Sequence, residues 1–219
     1  MLNKLTGEDV LNIFIEQHRL CSPLDPETDE SAEFTMDTSI DEWVSANDLL
    51  PWYSLYRYLN EEFHISATEE EWYEQILTPE SKGTLKDLCE FIAKRSQTGD
   101  IKSIKLFGKD CISAAIFLTL KRNLERMKVD VSELRPSSSV IPYLEKYFGE
   151  MVAQTTLVSR GGKVFDTFKI KVKKKGFFNY INIFDPNRYT FLTGEIQTFR
   201  DLTLKIMEIN SISESQTSV

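Results

Sequence analysis

His18 and Cys21 stand three residues apart near the end of an amphipathic stretch, a base beside a sulfur at helical spacing. Such a pair can draw the proton from a thiol and leave a nucleophilic thiolate, given a third group to orient the base. The sequence offers no such group. Glu69-Glu70-Glu71 and Asp29-Glu30 read as surface or capping acids rather than a paired general acid and base. Gly161-Gly162 is too short to cradle a phosphate and is expected to join two strands rather than a strand to a helix, so dinucleotide binding is set aside. Cys21, Cys89 and Cys111 are an odd number without C-x-x-C spacing, and the chain has only two histidines. That argues against a disulfide framework or a Cys/His zinc site. No catalytic residue, metal ligand or cofactor is assigned.

Two other groups could bind rather than react. Lys169, Lys171, Lys173, Lys174 and Lys175, with Arg160 and Lys163 nearby, form a basic strand and turn followed by Phe177, Phe178 and Tyr180. Positive charge beside aromatic rings can hold phosphates and stack bases. The alternation, however, puts Lys169, Lys171 and Lys173 on one face and Phe168, Ile170 and Val172 on the other. That is a solvated sheet face whose lysines discourage edge pairing. Contact with an acidic protein surface, including residues 1–100 of the same chain, is the second reading, and nucleic acid or anionic lipid the third.

The second group is aromatic: Trp52, Tyr53, Tyr56, Tyr58, Trp72 and Tyr73 crowd between positions 52 and 73. Core packing is the plain explanation, but six rings exceed what one small helical core requires, and aromatics are enriched at interfaces. Trp52, Tyr53, Tyr56, Trp72 and Tyr73 are the candidate partner-binding residues.

The elements that position these groups must come from 219 residues, 41% of them hydrophobic and 27% charged. This suffices for a sizeable core and fits two domains of about 100 residues each. The net charge of −8 hides a split. Residues 1–100 carry 22 acidic and 7 basic side chains, and residues 101–219 carry 12 and 19. Such asymmetry suggests two surfaces that face each other or two kinds of partner. The start lacks a basic leader followed by an apolar run, and the longest apolar run, Cys111–Leu120, is interrupted by Ser113 and Thr119. It falls far short of the roughly 20 residues that span a bilayer. A cytoplasmic protein without a membrane span is expected.

Thr6 with Asp9, Thr68 with Glu71 and Thr84 with Asp87 are capping patterns ahead of amphipathic runs. A further helix is expected from Asp48, with Pro51 in its first turn, so four helices precede Arg95. Ser22–Thr38 reads as a long loop. The polar stretch Ser96–Asp100 is the expected boundary between an acidic helical domain (1–95) and a basic one (101–210), followed by a flexible tail (211–219). In the second, Ile101–Leu106 is an expected strand, Asp110–Met127 a helix, and Tyr143–Phe148 lies on another. Val152–Val158, Val164–Val172 and Phe177–Phe184 are expected as a three-stranded antiparallel meander. Tyr189–Leu192 is a short fourth strand, and Thr198–Ile209 a closing helix. The class is α+β. Thr-x-x-Asp-Leu-x-x-x-Ile occurs twice, at Thr84–Ile92 and Thr198–Ile206. A capped amphipathic helix produces this pattern without duplication, and that reading is preferred.

Asp48-Leu49-Leu50 ahead of one helix, Asn60-Glu61-Glu62-Phe63 at its end and Thr84 with Asp87-Leu88 at the start of the last stand in an order that resembles acyl carrier proteins. Those are small four-helix bundles whose Asp-Ser-Leu carries phosphopantetheine. The resemblance covers roughly residues 5–95 and implies a four-helix bundle with an acidic docking surface. Leu49 occupies the place of the reactive serine, which implies a carrier-like shape without the carrier's reaction. The expected function is non-enzymatic protein recognition or a regulatory scaffold, with a protein partner not identified by the sequence. The alternatives are a nucleic-acid or anionic-surface binder working through Lys169–Lys175, and an enzyme with no readable motif.

Overall fold

In the computed structural model, which describes residues 4–76, 83–97, 101, 103–106, 108–172 and 189–216, the helices that follow Thr6, Thr68, Thr84 and Thr198 start where the sequence supplies a cap. Thr6 accepts from the Asp9 amide at 3.1 Å while the Asp9 carboxylate accepts from the Thr6 amide at 2.8 Å, opening α1 (Gly7–Cys21). After a 3-10 turn at Ser22–Leu24 comes a short helix the sequence did not announce, α2 (Ile40–Ala46), capped by Ser39. Then follow α3 (Trp52–Phe63), α4 (Glu69–Ile76) and α5 (Leu85–Arg95). Asp48 does not cap α3. It sits at φ 44°, and Pro51 takes the cap position.

The second half begins with a hairpin of β1 (Ile104–Leu106) and β2 (Lys109–Cys111), followed by α6 (Ile112–Arg126), α7 (Ile141–Lys146) and α8 (Phe148–Val158). A second antiparallel pair, β3 (Lys169–Val172) and β4 (Tyr189–Leu192), sets Lys169 opposite Leu192 and Val172 opposite Tyr189. The last helix, α9, runs Phe199–Gln216, past the expected stop near Asn210. The fold is α+β.

The expected strand at Val152–Val158 is wrong: this segment is α8. Residues 151–159 are all buried. A helix enclosed on every side needs no polar face, so its apolar and β-branched run imitates a buried strand. Gly161-Gly162 is accordingly a helix exit, not a hairpin. Gly161 takes φ 75°, and a Cβ there would collide with the backbone of Asn12 and Ile13 in α1. The strand expected at Phe177–Phe184 lies outside the described residues.

Buried side chains form two clusters, one built on α1–α5 and one on α6–α9. They exchange members: Leu157 of α8 belongs to the first and Leu20 of α1 to the second.

The two halves repeat one another in detail. Leu85 N donates to Thr38 O, Ile40 N to Gly83 O and Lys86 N to Met36 O. In the second half, with one side of each pair 100 residues on and the other 114, Phe199 N donates to Ser138 O, Val140 N to Gln197 O and Arg200 N to Pro136 O. Thr198 and Asp201 reproduce the box of Thr84 and Asp87. The Asp29-x-Ser31 turn recurs as Asp130-x-Ser132. α3 and α8 end alike: His64 (φ 53°) and Arg160 (φ 55°) are left-handed, with Ile65 N bonded to Asn60 O and Gly161 N to Thr156 O. A cap followed by an amphipathic helix does not generate this set, so the preferred reading of the Thr-x-x-Asp-Leu echo is corrected. α1, α2, α3 and α5 correspond to α6, α7, α8 and α9, and the β3–β4 pair stands where the first half has α4.

Candidate functional site

Trp72 fixes which face of α4 reaches solvent. Its indole is fully buried, 4.4 Å from the Phe91 ring centroid and 5.9 Å from that of Trp52, and its Nε1 donates to Asn60 Oδ1 at 3.0 Å. Asn60 in turn donates to Ala67 O at 2.8 Å, holding the α3–α4 connection closed. The Thr68 and Glu71 box starts α4, and Arg95 of α5 grips Glu71 at 3.0 Å. Hydrogen bonds from the Thr68 backbone and then Arg95 hold the Glu71 carboxyl below its ordinary range. With Trp72 inside, Thr68, Glu69, Glu70, Tyr73 and Glu74 are left to line an open groove of about 630 Å³. Tyr56 OH donates to Glu69 at 3.0 Å, tying the groove's edge to α3.

Among the sequence-derived partner residues, Tyr53 is 62% exposed and Tyr73 48%, and Leu50, 56% exposed, joins them as an outward apolar side chain that aromatic counting missed. Trp52 is half-buried. Tyr56 and Trp72 are core residues and are removed from the candidate face, because Trp72 fills the α3–α5 space and only the Tyr56 hydroxyl reaches outward. Leu49, in the place of the carrier serine, is half-buried against the first core.

The basic patch divides. Arg160 points into the molecule and pairs with Asp9 of α1 at 3.0 Å, so it leaves the patch. Lys163 and Lys169 are exposed. Lys171 sits in β3 opposite Thr190, and Lys173, Lys174 and Lys175 lie outside the described residues.

Between the halves runs a polar seam. Arg19 forks onto the buried Glu16 at 2.7 and 2.6 Å and donates to Phe165 O at 3.0 Å. Burial raises the Glu16 carboxyl despite Arg19. Gln17 Nε2 donates to Glu62 of α3 and, at 3.1 Å, to Thr156 of α8. Glu62 is 0% exposed, and burial pushes its carboxyl up to about 7. Its spacing of seven from Leu55 and three from Leu59 places it on the inward stripe of α3, a signal available in the sequence, where Glu61-Glu62-Phe63 is read only as the end of the helix.

The His18 and Cys21 pair is not assembled for catalysis. His18 Nδ1 is 2.8 Å from Asn47 Oδ1, and burial followed by the Glu62 charge pushes the Cys21 thiol up to about 12. Among the described residues, no group of three or more His, Cys, Asp or Glu side chains is placed to hold a metal, and no helix is long and apolar enough to cross a membrane. No family model matches the chain, and searches of curated proteins and of solved structures give no significant match.

Proposed function

We propose that this protein is a non-enzymatic recognition module, a carrier-like unit without a prosthetic group, that docks a basic protein surface through its acidic first half. The observation that carries the reading is the groove on α4, where Glu69, Glu70 and Glu74 surround the exposed ring of Tyr73. Carboxylates steer a basic partner into encounter, and an exposed tyrosine supplies rigid apolar area at little entropic cost. The carrier-like part is supported by the order of α1, α3, α4 and α5, by Glu61-Glu62-Phe63 at the end of α3, and by Leu49 resting on the core where a modifiable hydroxyl would have to be presented.

A photo-crosslinking amino acid at position 73 of the full chain tests it in cells. The expected result is one dominant protein adduct, lost on Glu70→Lys with Glu74→Lys and absent when the probe is moved to position 163. Equal adducts from positions 73 and 163, or none from 73, overturn the reading. In the same preparation, co-expression with a phosphopantetheinyl transferase leaves the intact mass unchanged. A gain of one phosphopantetheine would instead make this a working carrier.

A further inference from the structure

Glu62 is the buried acid that recognition leaves unused. It lies on α3 with no exposed surface, where α3, α1 and α8 converge. An ionised carboxylate accepts about four hydrogen bonds and normally keeps water or a cation beside it. Glu62 has one donor, the Gln17 amide, and its Oε2 has no hydrogen-bond partner among the described residues. No ion pair reaches it there either. The Gln17 amide also bonds Thr156, whose hydroxyl is committed to Val152 O at 2.9 Å, so one side chain of α1 bridges α3 to α8.

We propose that Glu62, Gln17 and Thr156 form a proton-operated latch between the two halves: while Glu62 carries its proton, α3 is held against α1 and α8, and loss of that proton loosens the seam. The proposal does not depend on the recognition reading. A neutral carboxyl can sit in this apolar setting with one bond, whereas a carboxylate there is an uncompensated buried charge.

The neighbouring groups keep their charge state across the same range. From α1, Cys21 faces Glu62 with its thiol held up near 12. From α3, burial followed by the Glu62 charge raises the Tyr58 hydroxyl well above its usual range, with Glu61 and with Glu150 of α8 beyond it. His64, at the end of α3, contacts Arg126 of α6 at 3.1 Å, and burial with the charges of Arg126 and Arg122 brings it down to about 4. Glu62 has a raised folded value, about 7 against an ordinary 4.5. Its contribution is therefore complete below about pH 4.5 and is lost as pH rises through about 7.

Cys21, half-buried beside Glu62, becomes more accessible when the seam opens, while Cys89, buried in the first core and also held near 12, is an internal reference for thiol ionisation. The experiment is alkylation of the full chain from pH 6 to pH 8, reading the ratio of Cys21 to Cys89 labelling rates by mass spectrometry. The latch predicts that this ratio rises about tenfold over the interval, the change that values of 4.5 and 7 impose on a local opening. Glu62→Gln should hold the ratio flat and low. His18→Gln, which alters a histidine packed against Phe34 and Asn47, should leave the rise intact. A flat ratio in the unaltered chain overturns the latch, as does a rise that persists in Glu62→Gln. If that variant does not fold, Glu62→Leu carries the same test.

Discussion

α3 and α8 occupy the same place in the two repeats and end in the same left-handed cap, yet α3 keeps one face in water while α8 is enclosed by protein from Met151 to its end. Aligning them through the bonds from Ile65 N to Asn60 O and from Gly161 N to Thr156 O sets Arg57 and Glu61 against Ala153 and Leu157. In α3 those positions, with Tyr53, form an exposed stripe. In α8 the pair is apolar, and Leu157 inserts into the core of the other half. Equivalent backbones were thus given opposite surroundings by a few side chains, and the docked member shows how this unit buries a helix when a partner is present. Burying one aliphatic side chain is worth roughly 1.5–3 kcal/mol, so a few such exchanges decide which helix goes inside.

The sharpest break of this comparison exchanges the two characters. Leu157→Glu should cost more than about 3 kcal/mol in urea unfolding, because it places a charge without a partner inside the first core. Glu61→Leu, the reciprocal change on the exposed helix, should stay within about 0.5 kcal/mol. Equal costs would mean that α3 is no freer than α8.

Gly161→Ala comes next, at about 2–4 kcal/mol, since the added methyl meets the α1 backbone at a positive φ. Gly149→Ala, near the start of α8 with open space around it, serves as control and should be neutral or slightly stabilising by thermal melting.

The smallest effect addresses what the halves share. Thr84→Ala and Thr198→Ala should each cost about 1 kcal/mol, and similarly, because the two boxes have the same bonds. Asp201 is held below its ordinary 3.8, chiefly by Thr198. A depressed acid stabilises above its unfolded value and loses that contribution as pH falls through the folded one. The penalty of Thr198→Ala, followed by denaturation midpoints from pH 6 down to pH 2, should therefore shrink in acid.

What could be read from the sequence was local. The caps at Thr6, Thr68 and Thr84 declare themselves because donor, acceptor and spacing lie within four residues. α8 was misread because enclosure removes the period that distinguishes a helix. The repeat was undervalued because it resides in backbone bonds between Met36–Ile40 and Gly83–Lys86 and their counterparts, which different side chains satisfy equally well. Around the groove, aromatic enrichment marked a stretch of which Tyr53 and Tyr73 reach solvent. Neighbours such as Trp72 and Tyr73 lie about 100° apart on a helix, however, and only tertiary packing settles which is inside.

The paired bonds joining residues 36–40 to 83–86, and 136–140 to 197–200, close each repeat like the neck of a bag. Everything threaded between the two sides of the neck is an excursion whose ends are already fastened. Its contents can change kind, a helix at α4 in one half and a strand pair at β3–β4 in the other, without disturbing the fastening or the first helix beneath it. Insertions of new sequence within these excursions should accordingly be better tolerated than single substitutions at the neck.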